Sequence, residues 1–307
     1  MNNESNPFLI KETQKLNKVK MLQGRKENVE YIKSYFPKNG NSFLEIGPNL
    51  NPMILKNDNF NVKYLDLVGT DVLLKRAINK GKDISKVPEI DYIHDPKKSI
   101  LETVGKDKFD VVLSAHVIEH IPDFIKHFQD VSKILNPSGV YCLIIPNMYL
   151  CFDAKKSPTT LGNVVEAFLN EQKQAPISRI IDEFNYGVKK NGLVAWSMGD
   201  NEITTPKYPN PIKKIKKILA DKNFVANWHG HIWYFHPYSF GSIYLDCFHL
   251  GLVELELIDI KPTKKMEFIC ILQKRPLSTN PLSRNKLRQI FQEQQYKIKI
   301  DGESIII

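Results

Sequence analysis

Cysteine is scarce. Cys142, Cys151, Cys247 and Cys270 are all there are in 307 residues, and no two form a CxxC pair. That excludes a disulfide framework and a zinc-ribbon spacing, and it points to a reducing, cytoplasmic compartment. Long apolar runs are missing too. A spanning helix needs about 18 or more consecutive apolar residues, and no stretch approaches this, so no transmembrane segment is expected. Met1–Lys20 carries charge without an apolar stretch and does not read as a signal peptide. The absence of repeats and low-complexity blocks removes solenoids and arrays.

Acidic residues are outnumbered, 34 against 43 Lys and Arg, for a formal net charge of +9. The excess lies in single lysines and short pairs, so a solvated Lys-rich surface is the first reading; nucleic acid, anionic lipid and phosphorylated metabolites stay open as acidic partners. No aromatic–basic arrangement typical of a nucleic-acid groove is present, and DNA is not an expected partner. What is there is an ordinary globular composition, 42% hydrophobic and 25% charged, which excludes a disordered or fibrous chain.

Periodicity orders the elements. Lys11–Phe36 is helical in pattern, with Val29, Ile32 and Phe36 three and four apart, and Pro37, Asn39 and Gly40 end it. Strands are predicted at Ser42–Ile46, Val62–Leu67, Asp91–His94, Phe109–Ser114 and Val140–Ile145, with helices at Asp71–Asn79 and Pro122–Leu135 between them. This alternation predicts an α/β fold with a mostly parallel sheet. After Pro146 the text turns irregular, with helices near Leu161–Gln172 and Ile177–Lys189. Pro237–Leu250 then reads as a helix, Leu252–Ile260 and Glu267–Gln273 as a closing antiparallel pair, and Pro281–Gln295 as a last helix. The expected organisation is an N-terminal helical segment 1–40, a core 41–146, an insertion 147–237, closing elements 238–275 and a tail 276–307.

In open α/β sheets, ligands sit at the carboxyl ends of the strands. Glu45 ends the first strand and Gly47 follows, where a ligand can approach backbone without meeting a Cβ. Asp66 ends the second strand, twenty-one residues after Glu45, where a carboxylate can accept both hydroxyl protons of a ribose. Asp95 follows the third strand at the same edge. Each carboxylate alone is more simply a solvated helix cap; three together favour a nucleoside-type site.

The telling residues are Leu44-Glu45-Ile46-Gly47-Pro48, then Asp66 and Asp95, then the run Phe109-Asp110-Val111-Val112-Leu113-Ser114-Ala115-His116-Val117-Ile118-Glu119-His120-Ile121-Pro122, and the turn Leu135-Asn136-Pro137-Ser138-Gly139-Val140. In these strings, from about residue 40 to 146, the chain resembles the class I S-adenosylmethionine-dependent methyltransferases. The resemblance implies a Rossmann-like seven-stranded sheet and S-adenosyl-L-methionine as cofactor. It places Glu45 and Gly47 at the methionine part, Asp66 at the ribose, Asp95 at the adenine amine, and the backbone of Ser114, Ala115 and His116 beneath the sulfonium, and it counts Pro48 and Leu67 among the cofactor-binding residues. The chain departs from the usual first loop: Gly47 stands alone where two or three glycines are usual, and Pro48 and Pro52 imply a shorter, stiffer loop. Ile145-Pro146-Asn147, Phe152-Asp153, His231-Ile232-Trp233 and Pro262-Thr263 are similar to a bacterial branch encoded near glycosyltransferases, although Asn147-Met148-Tyr149 replaces that branch's acidic–basic pair.

The implied activity is O-methylation of a sugar in a nucleotide sugar or surface polysaccharide. Another small molecule, a lipid or RNA is the alternative acceptor, and a catalytically silent cofactor-binding module is the rival class. A hydroxyl acceptor calls for a base, and the candidates are His116, His120, Asp153, His229, His231 and His236. His231 is preferred as the base, with Asp153 orienting it and His116 positioning the acceptor. His229 and His231 face the same way if extended. With His236 they make three histidines but bring no nearby carboxylate, and no metal is expected. Trp228, Trp233, Tyr234 and Phe235 read partly as core and partly as a sugar-stacking surface. The basic helix Pro211–Leu219 reads first as a solvated lid and second as a weak contact with an anionic membrane surface.

Overall fold

The alternation of apolar runs with helical patterns folds as an α/β layered structure. The computed structural model describes residues 21–38, 42–56, 60–198, 204–221 and 228–274. The predicted helix Pro281–Gln295, and the part of Lys11–Phe36 before residue 21, lie outside the described residues.

Within them, α1 is Arg25–Lys33, β1 Ser42–Ile46, β2 Asn61–Asp66, α2 Thr70–Asn79, β3 Tyr92–Ile93, α3 Ile100–Val104, β4 Phe109–Ala115, α4 Phe124–Ile134 and β5 Leu135–Pro146. The insertion carries α5 Leu161–Leu169, α6 Ile177–Tyr186, β6 Val188–Lys190, β7 Thr204–Pro206 and α7 Pro211–Ala220; α8 Pro237–His249, β8 Glu256–Pro262 and β9 Glu267–Gln273 close the fold. The seven-stranded sheet runs β3-β2-β1-β4-β5-β9-β8. Neighbours from β3 to β5 are parallel, and β9 lies antiparallel to both β5 and β8.

The two-residue alternation of a strand sorts side chains onto two faces. Phe43, Val111, Leu113, Cys142 and Ile144 pack on one. Leu44, Val112, Tyr141, Leu143 and Ile145 pack on the other, with Phe124 and Phe128 of α4 and Phe240 and Tyr244 of α8. Helices on both faces explain why the strands read as nearly continuous apolar runs. All four cysteines are free and buried among these groups.

Two elements escaped the sequence reading. Helix α3 begins with a capping box in which Ser99 accepts from the Glu102 N–H and Glu102 accepts from the Ser99 N–H; the Ser-x-x-Glu spacing was its signal. The β6–β7 pair forms a separate two-stranded sheet, and three-residue strands are too short to show a period. The predicted turn at Asn136–Gly139 lies inside β5, where pairing with β4 jumps from Phe109↔Leu135 to Val111↔Val140. Ser138 takes a left-handed φ of 63° there. The predicted strand Leu252–Ile260 starts too early: residues 252–255 precede β8 rather than begin it.

The insertion is not a separate layer. Val164, Ala167, Ile180, Phe184, Ile218, Ile232, Trp233 and Phe235 join the apolar cluster that holds α4 and α8.

Candidate functional site

The strand order reverses at β1, which has β2 on one side and β4 on the other. Ile46 pairs with Leu65 and with Ser114, so the loops after β1, β2 and β4 leave the sheet at one level. This is the crevice where ligands bind in such sheets.

The first loop is tied down by hydrogen bonds at both of its sides. Glu45 is buried, and its carboxylate accepts from the Met53 N–H at 2.7 and 2.9 Å and from the Ile54 N–H at 3.2 Å. Burial pushes this carboxyl up to about 7, against the pull of those N–H groups. Arg25 of α1 donates to the carbonyls of Asn51 (2.8 Å) and Pro52, a clamp that the sequence reading missed because it joins segments far apart. Gly47 has φ 68°, and a Cβ there would lie 2.8 Å from Cγ2 of Val117 in the loop after β4. Gly47→Val is therefore expected to drive these two loops apart and abolish binding of S-adenosylhomocysteine. Calorimetry at concentrations that saturate the unaltered protein checks this, and retained binding would refute the close approach.

Asp66 is nearly buried, and its bonds from Asn49 N–H (3.2 Å) and Val68 N–H (3.3 Å) are long, which leaves acceptor capacity toward the crevice. Leu67 beside it is 54% exposed, an apolar surface facing solvent next to that carboxylate. Asp95 is exposed and accepts from the Lys97 N–H at 2.9 Å. Asp66→Ala is expected to lose roughly 1–3 kcal/mol of cofactor affinity, because a charged acceptor disappears; unchanged titration heats and affinity would remove the ribose assignment.

Of the three residues expected beneath the sulfonium, Ser114 has its hydroxyl 2.8 Å from that of Tyr141, which is in turn 2.8 Å from His127 Nε2. Its side chain belongs to the core, so only its backbone can serve a ligand. His116 turns the chain out of β4 with a left-handed φ of 55°, which non-glycine residues rarely adopt. Its Nε2 lies 2.8 Å from Glu267 Oε1 on β9, and its Nδ1 lies 3.4 Å from Glu119 Oε1. Burial opposes its charge, but the two carboxylates prevail and raise it to about 10. A ring protonated at neutral pH can position an acceptor but cannot be the base.

The insertion meets this edge at Glu119. Its backbone carbonyl accepts from the N–H groups of Ile232 (2.7 Å) and Trp233 (3.2 Å). That pairing brings His231 over the loop after β4. His231 is buried, its Nδ1 is 2.6 Å from Asp153 Oδ2, and its ring stands edge-on to His120 with centroids 4.9 Å apart. Asp153 also takes Lys156 Nζ at 2.6 Å, and Lys156 reaches Glu183 at 2.5 Å, which in turn takes Lys207 at 2.6 Å. Burial works to raise the Asp153 carboxyl, but His231 and Lys156 hold it down at about 2. The predicted His231–Asp153 contact is present. Glu119 and Lys156 were not singled out, since nothing in their own segments shows that they meet.

Three expectations are corrected. His229 is exposed while His231 is buried, because the chain bends at Gly230 rather than running extended. His236 caps α8, accepting from Ser239 N–H at 3.4 Å, and burial lowers it to about 4, so it does not join His231 as a third histidine. Trp233, Tyr234 and Phe235 are buried in the core and offer no face for a sugar to stack on. Trp233 donates its ring N–H to the Ile121 carbonyl at 2.7 Å.

Residues 21–243 match a protein family described as "Methyltransferase domain". No curated protein matches the chain. Among solved structures, the CcbJ methyltransferase from Streptomyces caelestis is 9% identical, over 81% of this chain and 94% of that one, with a TM-score of 0.42. The N-methyltransferase NodS from Bradyrhizobium japonicum, in complex with S-adenosylhomocysteine, is 10% identical over 82% and 87%, with a TM-score of 0.36. Coclaurine N-methyltransferase, bound to N-methylheliamine and S-adenosylhomocysteine, is 13% identical, and the match covers 40% of this chain and only 36% of that one, with a TM-score of 0.30.

Proposed function

The chain belongs to the methyltransferase-domain family, and from that premise we propose that it methylates a hydroxyl oxygen of a sugar, carried on a nucleotide sugar or a surface polysaccharide. The enzyme is an S-adenosylmethionine-dependent methyltransferase, and the crevice fits that cofactor: Gly47 lacks a Cβ where the loops close, Asp66 keeps acceptor capacity and Leu67 offers apolar surface. The cofactor supplies an electrophilic methyl group on sulfur.

The observation that carries the choice of oxygen is the His231–Asp153 pair at 2.6 Å beside the end of β4. An amine attacks with its lone pair and sheds its proton afterwards; an alcohol is a poor nucleophile until its proton leaves. Asp153 fixes the proton on Nδ1 of His231 and leaves Nε2 as acceptor. His231 Nε2 would take the acceptor's O–H proton, leaving the oxygen free to attack the methyl group that the bound cofactor would supply, with a thioether as leaving group. His116, held cationic between Glu119 and Glu267, orients the acceptor through its charge. Sugar as the acceptor rests on the strings shared with the glycosyltransferase-associated branch, and nucleotide-sugar chemistry suits a cytoplasmic enzyme. Residues 147–237 would cover the acceptor. Transfer of label from the cofactor across a panel of nucleotide sugars, oligosaccharides, lipids and RNA tests the reading, and label on nitrogen alone overturns it.

The covering role carries a further expectation. Product release requires an opening, so the exposed stretch 191–194 and α7 should exchange amide hydrogens faster than β4 and β5 and slow down when S-adenosylhomocysteine and an acceptor bind. Equal exchange with and without ligands would count against a lid.

A further inference from the structure

Glu119 is the most exceptional buried group among the described residues. Its side chain has no solvent exposure, and neither carboxylate oxygen has a hydrogen-bond partner. A buried carboxylate is ordinarily hydrogen-bonded or bound to a cation. Around Glu119 Oε1 stand His116 Nδ1 at 3.4 Å, His120 Nε2 at 3.8 Å and His231 Nε2 at 3.9 Å. The last two are too far for a hydrogen bond, so a proton on either Nε2 would not satisfy the carboxylate.

The tautomers follow from what lies behind each ring. His120 Nδ1 is 3.1 Å from the Gly230 carbonyl, which only accepts, so Nδ1 carries the proton and Nε2 presents a lone pair. His231 Nδ1 is 2.6 Å from Asp153 Oδ2, with the same result. Two imidazole lone pairs and a carboxylate oxygen therefore converge, all within 4.8 Å of one another, with no proton between them. Each imidazole is held from behind by an oxygen acceptor, which is how metal-ligating histidines are oriented.

We propose that Glu119, His120 and His231 bind one divalent transition-metal ion, with Asp153 and the Gly230 carbonyl as the groups that orient the two histidines. Two imidazoles and one carboxylate form a ligand set used by catalytic zinc, which keeps a further position open. Zinc suits the chain better than iron, which favours the same three ligand types, because methyl transfer moves no electrons. Bonds of about 2.0–2.1 Å set tetrahedral ligands about 3.3 Å apart, so the donor atoms, within 4.8 Å of one another, need to close in by about 1.5 Å at most through side-chain rotation. The side chain of His120 is 35% exposed, which leaves one side of the cluster open for an oxygen ligand. The inference rests on the methyltransferase reading of this site and changes how the acceptor loses its proton. An ion holding the acceptor oxygen lowers its pKa, and His231 Nε2 then serves as ligand instead of base.

The test uses the full chain, stripped with a chelator and titrated with Zn²⁺ and, as a visible probe, Co²⁺. The expected result is one equivalent bound, with Co²⁺ showing the absorption bands of a four- or five-coordinate ion. Glu119→Gln and His120→Ala should each weaken binding at least about a hundredfold, and Asp153→Asn about 10–100-fold, as loss of an orienting partner does. His229→Ala, an exposed histidine two residues from His231, should leave binding unchanged. Circular dichroism and S-adenosylhomocysteine calorimetry on each stripped variant separate misfolding from lost ligation. Failure of the unaltered protein to take up Zn²⁺ or Co²⁺, or equal uptake by Glu119→Gln, overturns the site. Cofactor binding by the stripped protein keeps the methyltransferase reading standing in that case; its loss would count against the fit of the crevice instead.

Discussion

His231→Ala is expected to lower acceptor-dependent turnover by on the order of a hundredfold or more while cofactor affinity holds. The residue lies over the loop after β4, tied to Asp153 at 2.6 Å and to the Glu119 backbone through the neighbouring Ile232 N–H at 2.7 Å. Gly47 follows β1 and Asp66 ends β2, so in the proposed site loss of an imidazole from the insertion would leave their contacts with the cofactor in place. As general base or as metal ligand, His231 acts on the acceptor oxygen, and both roles predict this split. The comparison is single-turnover transfer of labelled methyl beside S-adenosylhomocysteine calorimetry. Transfer at the unaltered rate would remove His231 from the chemistry. Equal loss of transfer and of cofactor affinity would mean that the substitution damages the crevice itself. His116→Ala, by contrast, should act more through the acceptor's KM, since its ring is held charged by Glu119 and Glu267 and cannot accept the proton.

Lys156→Met should cost about 3–5 kcal/mol of stability, read as a fall in the urea midpoint at unchanged slope, because it leaves buried carboxylates without their cation. Lys156 has no exposed side-chain surface, contacts Asp153 and Glu183 at 2.6 and 2.5 Å, and sits 4.4 Å from the centre of the Tyr234 ring. Lys207 reaches the same Glu183 at 2.6 Å but its side chain is 19% exposed, so Lys207→Met should cost less. The sign with pH follows from Asp153, whose carboxyl is lowered from 3.8 to about 2: its contribution is full above 3.8 and is lost as pH falls toward 2. The stability gap between the Lys156 variant and the unaltered protein should therefore be widest above pH 3.8 and narrow as pH falls toward 2. Equal midpoints for the two lysine variants would show that the network carries no more than an exposed pair. In the proposed mechanism the network would also act on function, since Lys156 contacts the carboxylate paired with His231.

The sheet, its reversal point and the acidic residues along its edge were legible in the residues alone, because they are written in local signals. Strand periods and helix spacings place Ser42–Ile46 and Glu267–Gln273 at their observed bounds. The single Gly47 between Glu45 and two prolines announced a tight loop, and the loop is closed by bonds to Glu45. Even the His231–Asp153 contact was within reach, since chemistry demands a carboxylate behind a working imidazole. Burial in the insertion was harder to read. Trp233, Tyr234 and Phe235 have the composition of a sugar platform, yet Trp233 and Phe235 join the cluster of α4 and α8 and Tyr234 packs against Lys156 and Arg179, and an aromatic looks the same in sequence whether it packs inward or outward.

The convergence of Glu119, His120 and His231 belongs to the folded chain. His231 follows Glu119 by more than a hundred residues, and its placement depends on two backbone bonds to the Glu119 carbonyl and on the bend at Gly230 that separates it from exposed His229. Period, capping and turn chemistry act over a few residues, so a sequence carries them openly. Which side chains meet across the chain is decided by how the insertion buries its apolar face against the sheet, a free energy summed over many distant contacts. That packing brings a buried carboxylate, with His116 Nδ1 3.4 Å away, up against two imidazoles held from behind.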